Sequence, residues 1–173
     1  NQDFLKLYPD TAKKMINDQE VTSMAQLVDQ SDYILKVKNT SKKKIAGNGV
    51  VNECEVLKTY KGKVKQTVNI YDMTYAIDQT SVGYIEGSKP LVPLREYIVF
   101  LKKSKNANVK NTYMFSSAHF GAFDVRDRTE SINDYDNDSL TLKQTYSYDY
   151  IGCDDQFVEK YQSLKKQLDY IDK

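Results

Sequence analysis

At 173 residues, with 40% hydrophobic and 28% charged side chains, the chain has the length and composition of one globular domain and lies far from those of a disordered segment. Its 25 Lys and Arg balance 24 Asp and Glu for a net charge of +1, so no global field draws a polyanion to the surface and nucleic acid is not an expected partner. No apolar run approaches the ~20 residues of a membrane-spanning helix.

In chain order, Asp10 to Asp18 reads as a short helix with Asp10 as its N-cap. Thr22 or Ser23 caps a second, Met24 to Gln30, in which Met24, Leu27 and Val28 follow the spacing of a one-sided helix. Residues 1–30 thus form a short helical N-terminal segment. From Tyr33 to Lys38 the pattern changes to period two, with Tyr33, Leu35 and Val37 on a core face and Lys36 and Lys38 on a solvent face. Asn39 to Asn48, with Lys42, Lys43, Lys44, Gly47 and Gly49 in or beside it, reads as a solvated turn whose lysines serve solvation more readily than an anionic ligand. The return strand, Val50 to Tyr60, sets Val50, Cys54 and Val56 inward against Glu53, Glu55 and Leu57. A turn at Lys61-Gly62-Lys63 leads to a third strand, Thr67 to Asp72.

Met73 to Leu94, with Gly83, Gly87, Pro90 and Pro93, is longer than most connections in a compact domain and is expected to be functional or mobile. The five consecutive apolar residues Tyr97 to Leu101 mark a central strand covered on both faces. Thr112–Phe115 and Ala122–Val125 are short strands about a glycine turn, and Asn133–Ser139 is a turn. Tyr146, Tyr148 and Tyr150 alternate along what reads as an extended segment, which puts the three rings on one face. Such a row either stacks on a ligand or packs under the last helix, and packing is the more common use of large aromatics. In that helix Phe157, Tyr161, Leu164, Leu168 and Ile171 form an apolar seam capped by Asp154 or Asp155. The seam is expected to dock on its own domain, giving a monomer. The barrel strands occupy 31–125, and the extended segment and final helix 126–173.

Chemistry-bearing residues are sparse. Ser116, Ser117 and His119 are adjacent in sequence but lack the third orienting group that nucleophilic catalysis needs. Asp134, Asp136 and Asp138 begin like a calcium loop, but Ser139 and Thr145 stand where its glycine and bidentate glutamate belong. No catalytic residue, cofactor or metal is expected. The two cysteines, Cys54 and Cys153, are an even pair without metal or redox spacing, and residue 1 is Asn rather than Met. Both features suit an exported, processed protein with one Cys54–Cys153 disulfide, which would close a loop of roughly 100 residues and contribute up to ~4.7 kcal/mol.

The series SDYILKVKN, VVNECEVLKTYKGKVKQTVNIYD, a Gly/Pro loop, PLREYIVFLKK and an FGAFDV turn resembles the secreted and lipid-anchored bacterial relatives of tissue inhibitors of metalloproteinases and netrin modules. The resemblance covers about Met24 to Val125 and rests on strand spacing and the LKxYKG and EYxxFLKK patterns. It implies a mainly β fold, an OB-type Greek-key barrel with flanking helices, covered here by the C-terminal amphipathic helix. It further implies an extracytoplasmic, non-catalytic binding module, secreted or anchored through a lipid upstream. The inhibitors chelate protease zinc through an N-terminal Cys, and here residue 1 is Asn, so inhibition of a secreted enzyme is the lesser alternative. A glycan or cell-wall ligand is the other. The candidate binding residues are Tyr71, Tyr75 and Tyr84 about the long loop, with Tyr146, Tyr148 and Tyr150 as the contrasting, more structural set.

Overall fold

The computed structural model describes residues 21–46, 49–76, 82–84, 91–104, 110–126, 131–133, 142–152 and 154–168, with the backbone alone at 73–76, 82–84, 132–133 and 142. The helix expected over Asp10–Asp18, the turn over 134–139, and Ile171 lie outside these residues.

Helix α1 (Met24–Gln30) begins where the Ser23 hydroxyl accepts the Gln26 N–H, and its far end is tied down by Lys61 Nζ on the Val28 carbonyl, 2.9 Å away. It delivers the chain into β1 (Tyr33–Ala46), followed by β2 (Gly49–Lys61), β3 (Thr67–Ala76), β4 (Val82–Tyr84), β5 (Glu96–Lys103), β6 (Thr112–Phe115) and β7 (Ala122–Asp124). A closed five-strand barrel results. β1 pairs antiparallel with β2, and β2 with β3. β3 then pairs in parallel with β6, β6 antiparallel with β5, and β5 antiparallel with β1, which closes the circuit. β7 continues along the edge of β5 that β6 leaves free.

Alternation sorts the apolar residues into two cores. Leu35 and Val37 of β1, Cys54 of β2, Val68 and Ile70 of β3, and Tyr97, Val99 and Leu101 of β5 fill the barrel interior. The residues between them on β1 and β5, Ile34, Ile98 and Phe100, point outward and are buried again under the helices. The unbroken apolar run of β5 is therefore a strand buried on both faces.

The outer cover is built from α1 and from α3 (Asp155–Gln167), whose start is capped by the Asp154 carboxylate accepting the Phe157 N–H at 2.9 Å. Tyr161, Leu164 and Leu168 are buried against Phe123 and β5, and Phe157 is half-buried beside them, so the seam docks in cis. Tyr161 stacks between Tyr150 (4.2 Å between centroids) and Phe123 (5.0 Å). Tyr150 belongs to β9 (Tyr150–Gly152), which pairs in parallel with β8 (Ser131–Asn133), a small second sheet under α3 that the residue pattern does not announce.

Three expectations are corrected. Asn39–Ala46 is strand rather than turn, because β1 runs on beyond the barrel as one side of a long hairpin. The start of the long connection, Met73–Ala76, extends β3, and Val82–Tyr84 returns against it. Leu142–Thr145 is a helical turn, α2, and the N–H groups of Tyr146, Ser147 and Tyr148 reach back three residues to the carbonyls of Lys143, Gln144 and Thr145. That coil breaks the tyrosine row, and only Tyr150 lies in a strand.

Candidate functional site

The part of the surface with a shape of its own is the hairpin arm formed by Lys43–Ala46 of β1 and Gly49–Asn52 of β2. Up to Lys38, β1 is held on both edges, by β2 and by β5. Asn39 makes the last contact on the β5 side, donating its N–H to the Arg95 carbonyl (3.0 Å) and accepting the Leu94 N–H (2.9 Å). Beyond it the chain bulges. Cys54 pairs with Asn39 and Asn52 with Lys43, so Thr40, Ser41 and Lys42 together face Glu53 alone. Ser41 takes a φ of 73°, a left-handed conformation that a serine holds only where its surroundings impose it. Here the Asn39 carboxamide oxygen accepts the Ser41 N–H at 2.9 Å, and the Thr40 hydroxyl donates to Glu53.

Under the arm lies a buried polar base that the sequence pattern does not reveal. Asn39, Asn52 and Asp72 are all fully buried at one end of the barrel. Asn52 Nδ2 donates to Asp72 Oδ2 at 2.7 Å, the Leu91 N–H donates to the same oxygen at 3.2 Å, and Asn39 Nδ2 donates to the Leu91 carbonyl at 3.1 Å. Three strands and the Leu91 segment are thereby fixed to one another where the arm leaves the barrel. Low dielectric strengthens the paired members of such a network, while the buried Asn52 carboxamide oxygen has no hydrogen-bond partner among the described residues. Cys54 sits next to it as a free thiol, and burial, then the nearby Asp72 and Glu53 carboxylates, push it from 9.0 up to about 12.

The arm itself is exposed from Ser41 to Ile45. Ile45 is 64% exposed, as is Leu94, while Leu57 at 42% stands apart on β2. Lys42 lies 3.9 Å from Glu53, and Lys43 and Lys44 make no ion pair among the described residues. Of the tyrosines expected about the long connection, Tyr71 is half-buried on β3, its ring so close to Gly49 that a Cβ there would meet it at 3.2 Å. Tyr71 pairs with Val51 and Tyr75 with Gly49, so β3 runs along β2 from the base of the arm to its tip, and β4 follows on the far side of β3 with Gly83 opposite Tyr75 and Tyr84 opposite Thr74. The side chains of Tyr75 and Tyr84 lie outside the described residues.

The second tyrosine set is dispersed. Tyr150 is 3% exposed in the outer core, whereas Tyr146 and Tyr148 are half-buried in the turn after α2. The Tyr146 carbonyl accepts from Arg95 Nη2 at 3.0 Å, and its phenol is raised by burial and by Asp72. Arg95 also meets the buried Asp124, which Arg126 holds at 2.9 Å, while Lys165 of α3 meets the buried Asp149 at 3.1 Å. The Tyr161 phenol accepts the Asp124 N–H, and the Tyr97 phenol accepts the Val92 N–H. Burial drives both phenols well above their ordinary range. These groups lock β7, α3 and the Leu91–Arg95 segment onto the barrel.

The expected disulfide is not present at Cys54, whose thiol is free in the barrel interior; Cys153 lies outside the described residues. Its neighbours Gly152 and Asp154 stand at the entrance to α3, with Gly152 against Val158 at the margin of the outer core. Ser116 shares a hydroxyl contact with Ser31 at 2.7 Å, the Ser117 hydroxyl accepts the Phe120 N–H, and the His119 ring packs on Phe157. All three thus contribute to local packing. Among the described residues no three His, Cys, Asp or Glu side chains are placed to hold a metal ion, and no helix is long and apolar enough to cross a membrane. No protein-family model matches the chain, and no curated protein matches it in sequence, so its own residues carry the functional reading.

Proposed function

We propose that this chain is a non-catalytic binding module, built on an OB-type Greek-key barrel, that engages a partner protein outside the cytoplasm through the β1–β2 arm. The pairing order supports the OB-type reading, since the first barrel strand pairs with the second and fourth while the third meets the fifth in parallel. The resemblance to bacterial relatives of metalloproteinase inhibitors and netrin modules supports the extracytoplasmic location. The observation that carries the binding role is the arm's exposure, in which Ile45 stands 64% open to solvent beyond a bulge fixed by fully buried polar groups. Presenting an apolar side chain on a rigidly based projection is the arrangement of an interface anchor.

The test is site-specific photo-crosslinking in the cells that make the protein, with the photoreactive residue at position 45 and, for comparison, at position 57 on the barrel wall. A discrete protein adduct at 45 and none at 57 is expected. Equal labelling at both sites, or none at 45, overturns the arm as the binding element. External protease digestion of intact cells tests the location.

A further inference from the structure

The arm has one paired edge and one open edge. β2 covers Lys43–Ala46 on one side, and on the other β5 stops at Lys38 and the Leu94–Arg95 backbone at Asn39. No described strand lies beside Ser41–Ala46 on that second side. Alternate residues of an edge strand direct their N–H and C=O groups away from the sheet, where another chain can pair with them. Two of the three exposed large apolar residues among those described, Leu94 and Ile45, bracket this stretch, with Leu94 bonded to Asn39 at its start and Ile45 near its end. Between them stand Lys42, Lys43 and Lys44, all exposed.

From this edge we infer that Lys43–Ala46, where the regular ladder resumes past the bulge, takes up an acidic, extended segment of the partner as an added strand, which rests on the reading of the arm as the binding element. The lysines decide the occupant. A second copy of this chain would set lysine against lysine, which cross-strand pairing disfavours, whereas acidic residues opposite Lys43 and Lys44 would be favoured. The register follows from the arm. In antiparallel pairing the incoming strand reads, from its N-terminus, an apolar residue opposite Ile45 and then two acidic residues opposite Lys44 and Lys43.

The probe is a capped peptide, Thr-Thr-Val-Glu-Glu-Thr-Thr, titrated into the whole protein and followed by amide chemical shifts and calorimetry at low salt. Shifts centred on 43–46 are expected, with at least tenfold weaker binding at high salt or in the triple variant Lys42→Glu, Lys43→Glu, Lys44→Glu. Because those side chains are exposed, that variant should keep the parent's circular dichroism and melting temperature. Two further peptides, N-methylated on alternate residues, separate strand addition from simple charge attraction, because only one edge of an added strand bonds to the sheet. One methylation pattern should abolish binding and the other leave it intact. If the parent peptide does not bind, or if both methylated peptides bind like it, strand addition is wrong, while a crosslink at position 45 would still leave the arm as the binding element.

Discussion

Replacing Asn39 with Ala removes the side chain that joins the barrel to the arm, and the structure sets the size of the effect. The two backbone bonds of residue 39 to Leu94 and Arg95 survive the change, but two side-chain bonds are lost. The Leu91 carbonyl, in a buried residue, loses its 3.1 Å donor, and an unsatisfied buried acceptor costs about 1–3 kcal/mol. The Ser41 N–H loses its 2.9 Å acceptor, but Ser41 is exposed and water replaces it, so only the net worth of a bond goes, about 0.5–1.5 kcal/mol. The sum is about 1.5–4.5 kcal/mol, which for a chain of this length lowers the melting temperature by about 3–18 °C. Urea denaturation followed by tyrosine fluorescence measures the loss. Amide hydrogen exchange locates it, because amides from Ser41 to Ala46 should lose more protection than those of β5. A variant within about 0.5 kcal/mol of the parent, with arm protection unchanged, would show that Asn39 does not fix the arm.

Other consequences follow from the two cores and the buried acids. Leu164→Ala should cost about 2.5–5 kcal/mol in urea denaturation, since Leu164 is buried between α3 and the barrel; an unchanged midpoint accompanied by lost self-association would assign the seam to an interface instead. Cys54 keeps its proton in the folded state up to about pH 12 but loses it from 9.0 in the unfolded chain, so the unfolded state binds fewer protons and stability falls as pH rises through that window. Tyr97 and Tyr161, also raised, add to the same alkaline loss. Cys54→Ala should flatten the fall, and an identical pH profile for parent and variant would refute the assignment. At Gly121 a Cβ would stand 2.5 Å from both Phe115 Cβ and the Ser117 carbonyl oxygen, so Gly121→Ala should cost about 1–3 kcal/mol or more by thermal melt, and parent-like melting would mean that the turn relaxes freely.

Wherever burial on one face produced alternation, the sequence was readable: Leu35 and Val37, then Cys54, then the double-sided run Tyr97–Leu101, each in the core where its period puts it. The four- and three-residue spacing of Tyr161, Leu164 and Leu168 marked α3 equally well. The arm was not legible because three consecutive lysines alternate nothing, and a three-against-one bulge shifts the register just where a pattern would have to continue. Asn39 fell in what read as a solvated turn, and the joining of Asn39, Asn52 and Asp72 went unread because a polar side chain shows its burial only through partners distant in sequence. The tyrosines at 146, 148 and 150 kept a strand's period, yet local three-residue hydrogen bonds won over two of them. An even number of cysteines gives no separation between them, and Cys54 turned out to line the barrel interior as a free thiol.

The bulge at Thr40–Lys42 also divides the hairpin into two stretches whose lengths are independent. Side chains alternate with period two, so adding one residue to a continuous ladder would turn Leu35 and Val37 out of the barrel. Here any mismatch introduced beyond Glu53 is absorbed before it reaches Asn39, which is already anchored on Leu91. Lengthening each side of the tip by two residues would extend the arm by about 7 Å and leave every barrel contact in register. The reach of the arm and the residues it displays can therefore diverge between related chains while the barrel stays the same.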